Sequence, residues 1–244
     1  MPSEIPRLNE LISRYSPYLT EVKRRFFFTI SFFAVSTVFG FVFYEKIIKF
    51  LIDFLSLEGI NIVFTSPFQF INLALNCGIA TGLVLVFPFL LYQILSFLKP
   101  ALKQREYRMV TQFLPFFIVL FLLGFSFGFV IMKWQIELFL VKSESLGIGN
   151  ILDISRLLGT VLMVSVLMGM AFQFPMVLFL IMRLGIIKPG SLIRQRKWIY
   201  LASLFFTILL PADSIIVDFL LALPIIVLFE LTLILNRVFE RKKL

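Results

Sequence analysis

The sequence predicts an all-α integral membrane protein with six transmembrane helices and both termini in the cytoplasm. Three observations lead there. The 244 residues are 60% hydrophobic and include 32 Phe, far more apolar material than a soluble domain of this length buries. No charged residue occurs from Gly59 to Leu98, and none from Met109 to Met132. Charge-free apolar runs of this length are transmembrane helix candidates, because a ~30 Å hydrocarbon core takes about 20 helical residues. Finally, the basic residues fall unevenly between the stretches that separate these runs. Strict alternation of polar and apolar residues is absent, which excludes an outer-membrane barrel.

In chain order, residues 1–25 form a polar, basic cytoplasmic segment. They close on Lys23-Arg24-Arg25 and lead into the first span, 26–44. The first apolar run starts only at Phe26 and no small-residue cleavage site ends it, so it reads as a span rather than a cleaved leader. Residues 45–69 form an external loop. In its first part Ile47, Ile48, Leu51, Ile52 and Leu55 recur at helical spacing, the pattern of an amphipathic helix lying at the interface. Thr65-Ser66-Pro67 then starts the next helix. The second and third spans are 70–97 and 109–132, with Pro88 and Pro115 inside them. Residues 133–156 form a second external loop. The fourth span is 157–182, with Pro175 inside, and 183–197 is a basic loop. The fifth span, 198–210, stops at Pro211, and the sixth, 215–235, contains Asp218, Pro224 and Glu230. A basic tail occupies 236–244. The chain reads as one membrane domain.

Orientation follows from the cations. The N-terminal segment, the 98–108 loop, the 183–197 loop and the tail carry 18 of the 23 Lys and Arg. The positive-inside rule makes that side cytoplasmic. The net charge of +9 is therefore an orientation signal and not a nucleic-acid footprint. The fifth span is short, about 20 Å for its length, so it needs a thinned bilayer or shelter among other helices. Proline removes a backbone bond and tends to kink its helix. Kinked long helices beside a short pair predict a curved, concave wall.

Several chemistries are excluded. There is no His, which removes His-based triads, His-ligated metal sites and the usual proton shuttle. The single Cys77 allows no intrachain disulfide. H-E-x-x-H, CxxC, P-loop and G-x-S-x-G patterns are absent. An enzyme is not expected, and neither is a metal or other cofactor. Polar groups at membrane depth are costly and face protein or a wet cavity. Asn76, Gln173, Asp218 and Glu230 occupy such positions, with Glu230 close enough to the cytoplasmic end to pair with loop cations.

The stretch Phe97–Arg108 holds the candidate recognition point. It sets one acid, Glu106, among Lys99, Lys103, Arg105 and Arg108. Two readings are open. Glu106 damps repulsion in a positive-inside loop, or it is a lone carboxylate presented to a cationic ligand.

Four local patterns in order resemble the TatC family, the multispanning core of the twin-arginine protein translocase. Before the first span the family's His-Leu-x-Glu-Leu-Arg-x-Arg-like pattern is met by Tyr18-Leu19-Thr20-Glu21-Val22-Lys23-Arg24-Arg25. Tyr18 replaces His and Lys23 replaces Arg. In the first cytoplasmic loop Phe97, Pro100, Ala101, Leu102 and Glu106 match, with Tyr107 where a base is common. In the fourth span Phe172, Gln173 and Pro175 match Phe-(Glu/Gln)-x-Pro. Between the last spans, where the family tends to Thr-Pro-Pro-Asp, stands Leu210-Pro211-Ala212-Asp213, followed by Ala222, Pro224 and Glu230. Thr65-Ser66-Pro67 also resembles the family's first external loop. The likeness runs from about residue 18 to 240.

The resemblance implies a receptor for twin-arginine signal peptides that assembles into a higher-order translocon. Small single-span partners of the TatA/TatB type would join it, and the proton-motive force would drive export of folded proteins across the cytoplasmic membrane. Glu21 and Glu106 would bind the signal, with Leu19, Lys23, Arg25, Phe97, Pro100 and Arg105 around them. Arg pairs with carboxylate in a planar bidentate fork that Lys cannot reproduce. Gln173, Phe172, Pro175, Asp218 and Glu230 would form a polar patch for a partner helix, with Pro67, Pro211 and Asp213 in external loops. Two other classes fit the residues alone: a small-molecule or ion transporter with Gln173, Asp218 and Glu230 lining its path, and a non-catalytic membrane assembly factor. Neither an inverted repeat nor paired broken spans favour the transporter.

Overall fold

Without water in the hydrocarbon, each backbone N–H and C=O must be satisfied within its own segment, which selects helices. The computed structural model describes residues 4–57, 62–99, 102–147, 152–212 and 214–241, and these are almost entirely helical. In order they form α1 (Glu4–Val42), α2 (Tyr44–Phe54), β1 (Ile62–Val63), α3 (Phe68–Leu98), α4 (Gln104–Ser145) and β2 (Leu152–Asp153). Then follow α5 (Ile154–Ala171), α6 (Gln173–Arg183), α7 (Pro189–Arg194), α8 (Arg196–Ile208) and α9 (Ile215–Arg241). Among the described residues, five segments are long and apolar enough to cross a membrane: Thr20–Val42, Phe68–Phe97, Gln104–Ser145, Ile154–Arg183 and Ile215–Val238. The expected fifth span is α8, whose 13 residues fall short of that length.

The helices outrun the expected spans at several ends. α1 begins at Glu4, so the polar segment before residue 26 belongs to the same helix as the apolar run. α4 continues to Ser145, thirteen residues past Met132, and takes up half of the expected second external loop. α9 continues into the tail as far as Arg241. The reason is common to all three: charge ends the hydrocarbon run, but Glu, Lys, Arg and Leu propagate a helix well once it is nucleated. In α4 the first polar turn adds an i,i+4 pair, Lys133 to Glu137 at 4.0 Å. α2 is the expected amphipathic helix, with Leu51, Leu55 and Leu57 buried in and after it.

Prolines act unequally. α3, α4 and α9 run through Pro88, Pro115 and Pro224 without interruption. The expected fourth span is instead divided at Phe172 into α5 and α6. Pro175 cannot bond the Ala171 carbonyl and its ring crowds that group, so the break falls in the turn before it.

α5 runs through the middle of the main core. It meets α3 and α4, and the Ile154–Arg183 segment that it opens is the most buried of the five, 61% over its most apolar window against 11% for Thr20–Val42. Its Leu158, Val161, Val164 and Met168 join Leu73 and Cys77 of α3, Phe129 of α4 and Leu221 of α9 in the main core. Lipid tails are as apolar as Leu, so membrane helices associate by close van der Waals fit at small residues. A Cβ on Gly128 would lie 2.7 Å from the Cα of Ser165, and one on Gly124 would lie 2.6 Å from the Met168 carbonyl oxygen. α1 meets α3 in the same way: a Cβ on Gly78 would lie 2.8 Å from the Thr37 carbonyl oxygen.

Gly128→Ala should therefore push α4 and α5 apart. Overpacking of this kind costs about 1–3 kcal/mol, read as earlier thermal unfolding in detergent. Gly190→Ala, where an added Cβ meets nothing within 4 Å, should leave the melting curve in place.

Candidate functional site

Two polar groups carry the expected recognition residues, one where α1 meets α3 and one at the start of α4. Glu21 and Arg25 are one turn apart on α1. The Arg25 Nη2 and Nε both donate to Glu21 Oε1, at 2.6 and 3.1 Å. The Arg25 Nη1 donates to the Gln93 carbonyl near the end of α3, at 3.0 Å. This ties Glu21 to the end of α3, beyond which the chain turns into α4. There the Glu106 Oε2 accepts from the Lys103 backbone N–H at 2.9 Å. That is the reverse half of a capping box; Lys103 has no acceptor and cannot supply the other half. Among the described residues, Glu21 Oε2 and Glu106 Oε1 accept no bond.

The surrounding residues fall as follows. Lys23 lies over the Phe27 ring at 6.0 Å and Lys99 over Tyr107 at 5.7 Å. Phe97 is half-buried and Arg105 is exposed. Pro100 and the Leu19 side chain lie outside the described residues, as does Asp213. The one departure from expectation concerns Arg25. It is not a bystander beside the acids but the partner of Glu21, because an i,i+4 spacing puts the two on one helix face.

The expected intramembrane patch does not assemble. Gln173 is 8% exposed and its Nε2 donates to the Gly169 carbonyl at 3.1 Å, two residues before the Ala171 carbonyl that Pro175 cannot bond. Its Oε1 is buried and unpaired. Phe172 and Pro175 are buried beside it, and the Pro175 carbonyl accepts from Thr232 Oγ1 of α9 at 3.4 Å. Thr232 and Glu230 are two positions apart, about 200° around the helix, so Glu230 faces the other way, toward α8. There Arg196 Nη2 meets Glu230 Oε2 at 3.1 Å and the Tyr200 hydroxyl donates to Glu230 Oε1. Asp218 sits at the opposite end of α9, about 18 Å away along the axis, 8% exposed and with Oδ1 unpaired. Gln173, Asp218 and Glu230 thus line no shared path. The expected pairing of Glu230 with a loop cation is met by Arg196. Tyr200 was legible as its neighbour, since it lies i+4 from Arg196 on the face that α9 covers.

At the far end of the bundle the two loops expected to be external are tied together. β1 and β2 pair in parallel, Ile62 with Leu152 and Val63 with Asp153. Asp153 caps α5 by accepting from the Arg156 N–H at 3.1 Å. Its other oxygen accepts from Thr65 Oγ1 at 2.9 Å and from Gln69 Nε2 at 2.6 Å. Pro67 takes the N-cap position of α3 between them. Pro211 is exposed, and the adjoining Ala212 carbonyl accepts from Gln135 Nε2 of α4. Sequence reasoning missed this cluster because Asp153 is more than 80 residues from Thr65 and Gln69 in the chain.

The sequence pattern of the Sec-independent protein translocase protein (TatC) family matches residues 17–224. The chain belongs to this family. TatCy of Bacillus subtilis (strain 168) is 27% identical over 231 residues, covering 92% of this chain and 89% of that protein. TatC of Aquifex aeolicus is 28% identical over 236 residues, covering 93% and 95%. TatC of Haemophilus influenzae is 33% identical over 165 residues, or 66% and 64% of the two chains. A crystal structure described as the twin arginine translocase receptor TatC, in DDM, superposes with a TM-score of 0.80 at 25% identity, covering 89% of this chain and 98% of that one. The TatC family is a component of a protein translocase and not an enzyme family, and this chain is a multi-pass membrane protein with the same fold.

The Asp153 cluster gives a pH prediction. Burial pushes its carboxyl up, but the bonds from the Arg156 N–H, Thr65, Gln69 and the Ser155 N–H outweigh it and hold it below the usual carboxylate range. A lowered folded pKa means stabilisation that is complete above the ordinary Asp value of about 3.9 and lost as pH falls through the folded value. Asp153→Ala should cost about 1 kcal/mol as a lost N-cap at neutral pH. The gap between its melting temperature and the wild type's should close as pH drops below about 4; a gap unchanged with pH would contradict the assignment.

Proposed function

We propose that this TatC chain recognises twin-arginine signal peptides and forms the core of a translocase for folded proteins. The observation that carries the reading is the pair Glu21 and Glu106. They are lone carboxylates among cations, one on α1 beside the last turns of α3 and one in the first turn of α4, each with an oxygen open to a further donor. The solved relative described as a twin arginine translocase receptor supports the same role.

In this reading α8 is the fifth of six spans, both termini face the cytoplasm, and the membrane is the bacterial inner membrane. The signal's two guanidiniums meet Glu21 and Glu106. Arg25 already holds Glu21 Oε1, so an incoming Arg meets only Oε2 of a half-neutralised carboxylate and gains less there. Net affinity then comes from Glu106, from the fork geometry that a Lys cannot match, and from the signal's apolar segment. Lys23, Arg105 and Phe97 border the contact. Pro100 and Leu19 are assigned to it on the motif alone. Single-span partners of the TatA/TatB type join the core, which works as a higher-order oligomer driven by the proton-motive force. The proposed docking point for such a partner is the α5–α6 break, where Phe172 and Pro175 flank the unpaired acceptor of Gln173. Asp218 and Glu230 have no part in it, and Pro67, Pro211 and Asp213 belong to the external face.

Glu106→Gln tests the assignment. Gln can still accept the Lys103 N–H, as it does in capping boxes, so the fold survives. Losing one partner of a charge pair costs about 2–5 kcal/mol, or roughly 30-fold or more in affinity. Binding of a twin-Arg signal peptide in detergent should weaken by that much, with a twin-Lys peptide hardly affected. Glu21→Gln and Glu106→Gln should be non-additive in a double-mutant cycle. Wild-type affinity in Glu106→Gln would remove this residue from the site, and strict additivity would separate the two acids.

A further inference from the structure

α4 and the α8–α9 pair differ in length, and the difference leaves a notch. Gln135 of α4 holds the α8–α9 turn through the Ala212 carbonyl. Beyond Gln135, α4 runs on to Ser145, about 15 Å of helix at 1.5 Å per residue. The space above the turn is a cavity of about 860 Å³. Its walls are the overhang of α4 and the first turns of α5, and its floor is Pro211, Ala212 and Ser214. Leu138, Val141 and Ile216 line it, and they are 47%, 67% and 69% exposed. The turn itself exposes Leu209 and Ile215, at 68% and 74%, so the floor belongs at hydrocarbon depth.

The charge on the rim points one way. Lys142 and Arg156 both line the cavity, and neither has a carboxylate partner among the described residues. Asp153, the one acid in the described lining, is already engaged by Thr65, Gln69 and the Arg156 N–H. An occupant must therefore be apolar below and anionic above, and it must end at the turn. A spanning helix cannot pass the floor.

We propose that this notch holds an anionic phospholipid of the leaflet opposite the cation-rich end. Its phosphate lies between Lys142 and Arg156, and its acyl chains pack on Leu138, Ile216 and Val217. The lipid restores the bilayer thickness that the 13-residue α8 cannot span. A juxtamembrane Lys or Arg near an anionic surface contributes about 1 kcal/mol, or roughly fivefold in affinity.

The test uses the full chain purified in nonionic detergent and presented with equal amounts of phosphatidylglycerol and phosphatidylcholine, read by native mass spectrometry. One phosphatidylglycerol should be retained in preference. Lys142→Gln with Arg156→Gln should lower that preference by at least fivefold, while Lys142→Arg with Arg156→Lys keeps it. Both side chains are exposed, so melting in lipid-free detergent should be unchanged. A photo-crosslinking residue in place of Leu138 should capture lipid in native membranes. An unaltered phosphatidylglycerol preference in the double Gln variant overturns the proposal, and so does capture of a polypeptide at position 138.

Discussion

The close approach of α4 and α5 sets the position of everything else in this chain. At Gly124 and Gly128 the α4 backbone lies against Met168 and Ser165 with no room for a single carbon between them. In a bilayer no hydrophobic force gathers helices, so contact of this kind is the available source of specific packing. It makes α5 the shared neighbour of α3 and α4. It fixes the overhang of α4 beyond the α8–α9 turn, and it places the Asp153 cap beside the paired strands β1 and β2.

Polar groups then act as local pins on that frame. Each makes its bonds over a short reach: the Gln173 amide N–H on Gly169 across the α5–α6 break, Thr232 on the Pro175 carbonyl, Glu230 between Arg196 and Tyr200. Because the hydrocarbon penalises an unmet donor or acceptor, these pins discriminate among possible helix rotations. They also explain why three polar residues in the last three spans do not build one site. The rotation that satisfies Thr232 on α6 turns Glu230 toward α8. The two ends of the bundle are consequently different in kind. One gathers cations around two half-engaged carboxylates, and the other is closed by hydrogen bonds and an apolar notch.

Much of the candidate site was legible. Glu21 and Glu106 stand out as single acids among bases, and that contrast survives folding because Glu21 stays in the polar half of α1 and Glu106 in the first turn of α4. Their engagement was less legible. Arg25 as the partner of Glu21 follows from i,i+4 spacing, but its second bond, to the Gln93 carbonyl, depends on how α1 lies along α3. Glu106 as a helix cap could be anticipated once Gln104 was known to begin α4. The Thr65–Gln69–Asp153 cluster could not be, since its members meet only through the pairing of β1 with β2.

By itself, the sequence determined that the chain crosses a membrane, roughly where, and which stretches hold the cations. Hydropathy and charge act residue by residue against the solvent, so they are readable without contacts. Tertiary structure decided where helices end, which proline breaks its helix, and which polar groups face one another. Those outcomes depend on partners: Pro88, Pro115 and Pro224 sit in continuous helices while Pro175 divides one. How α9 is turned against its neighbours decides that Thr232 meets the Pro175 carbonyl and Glu230 meets Arg196.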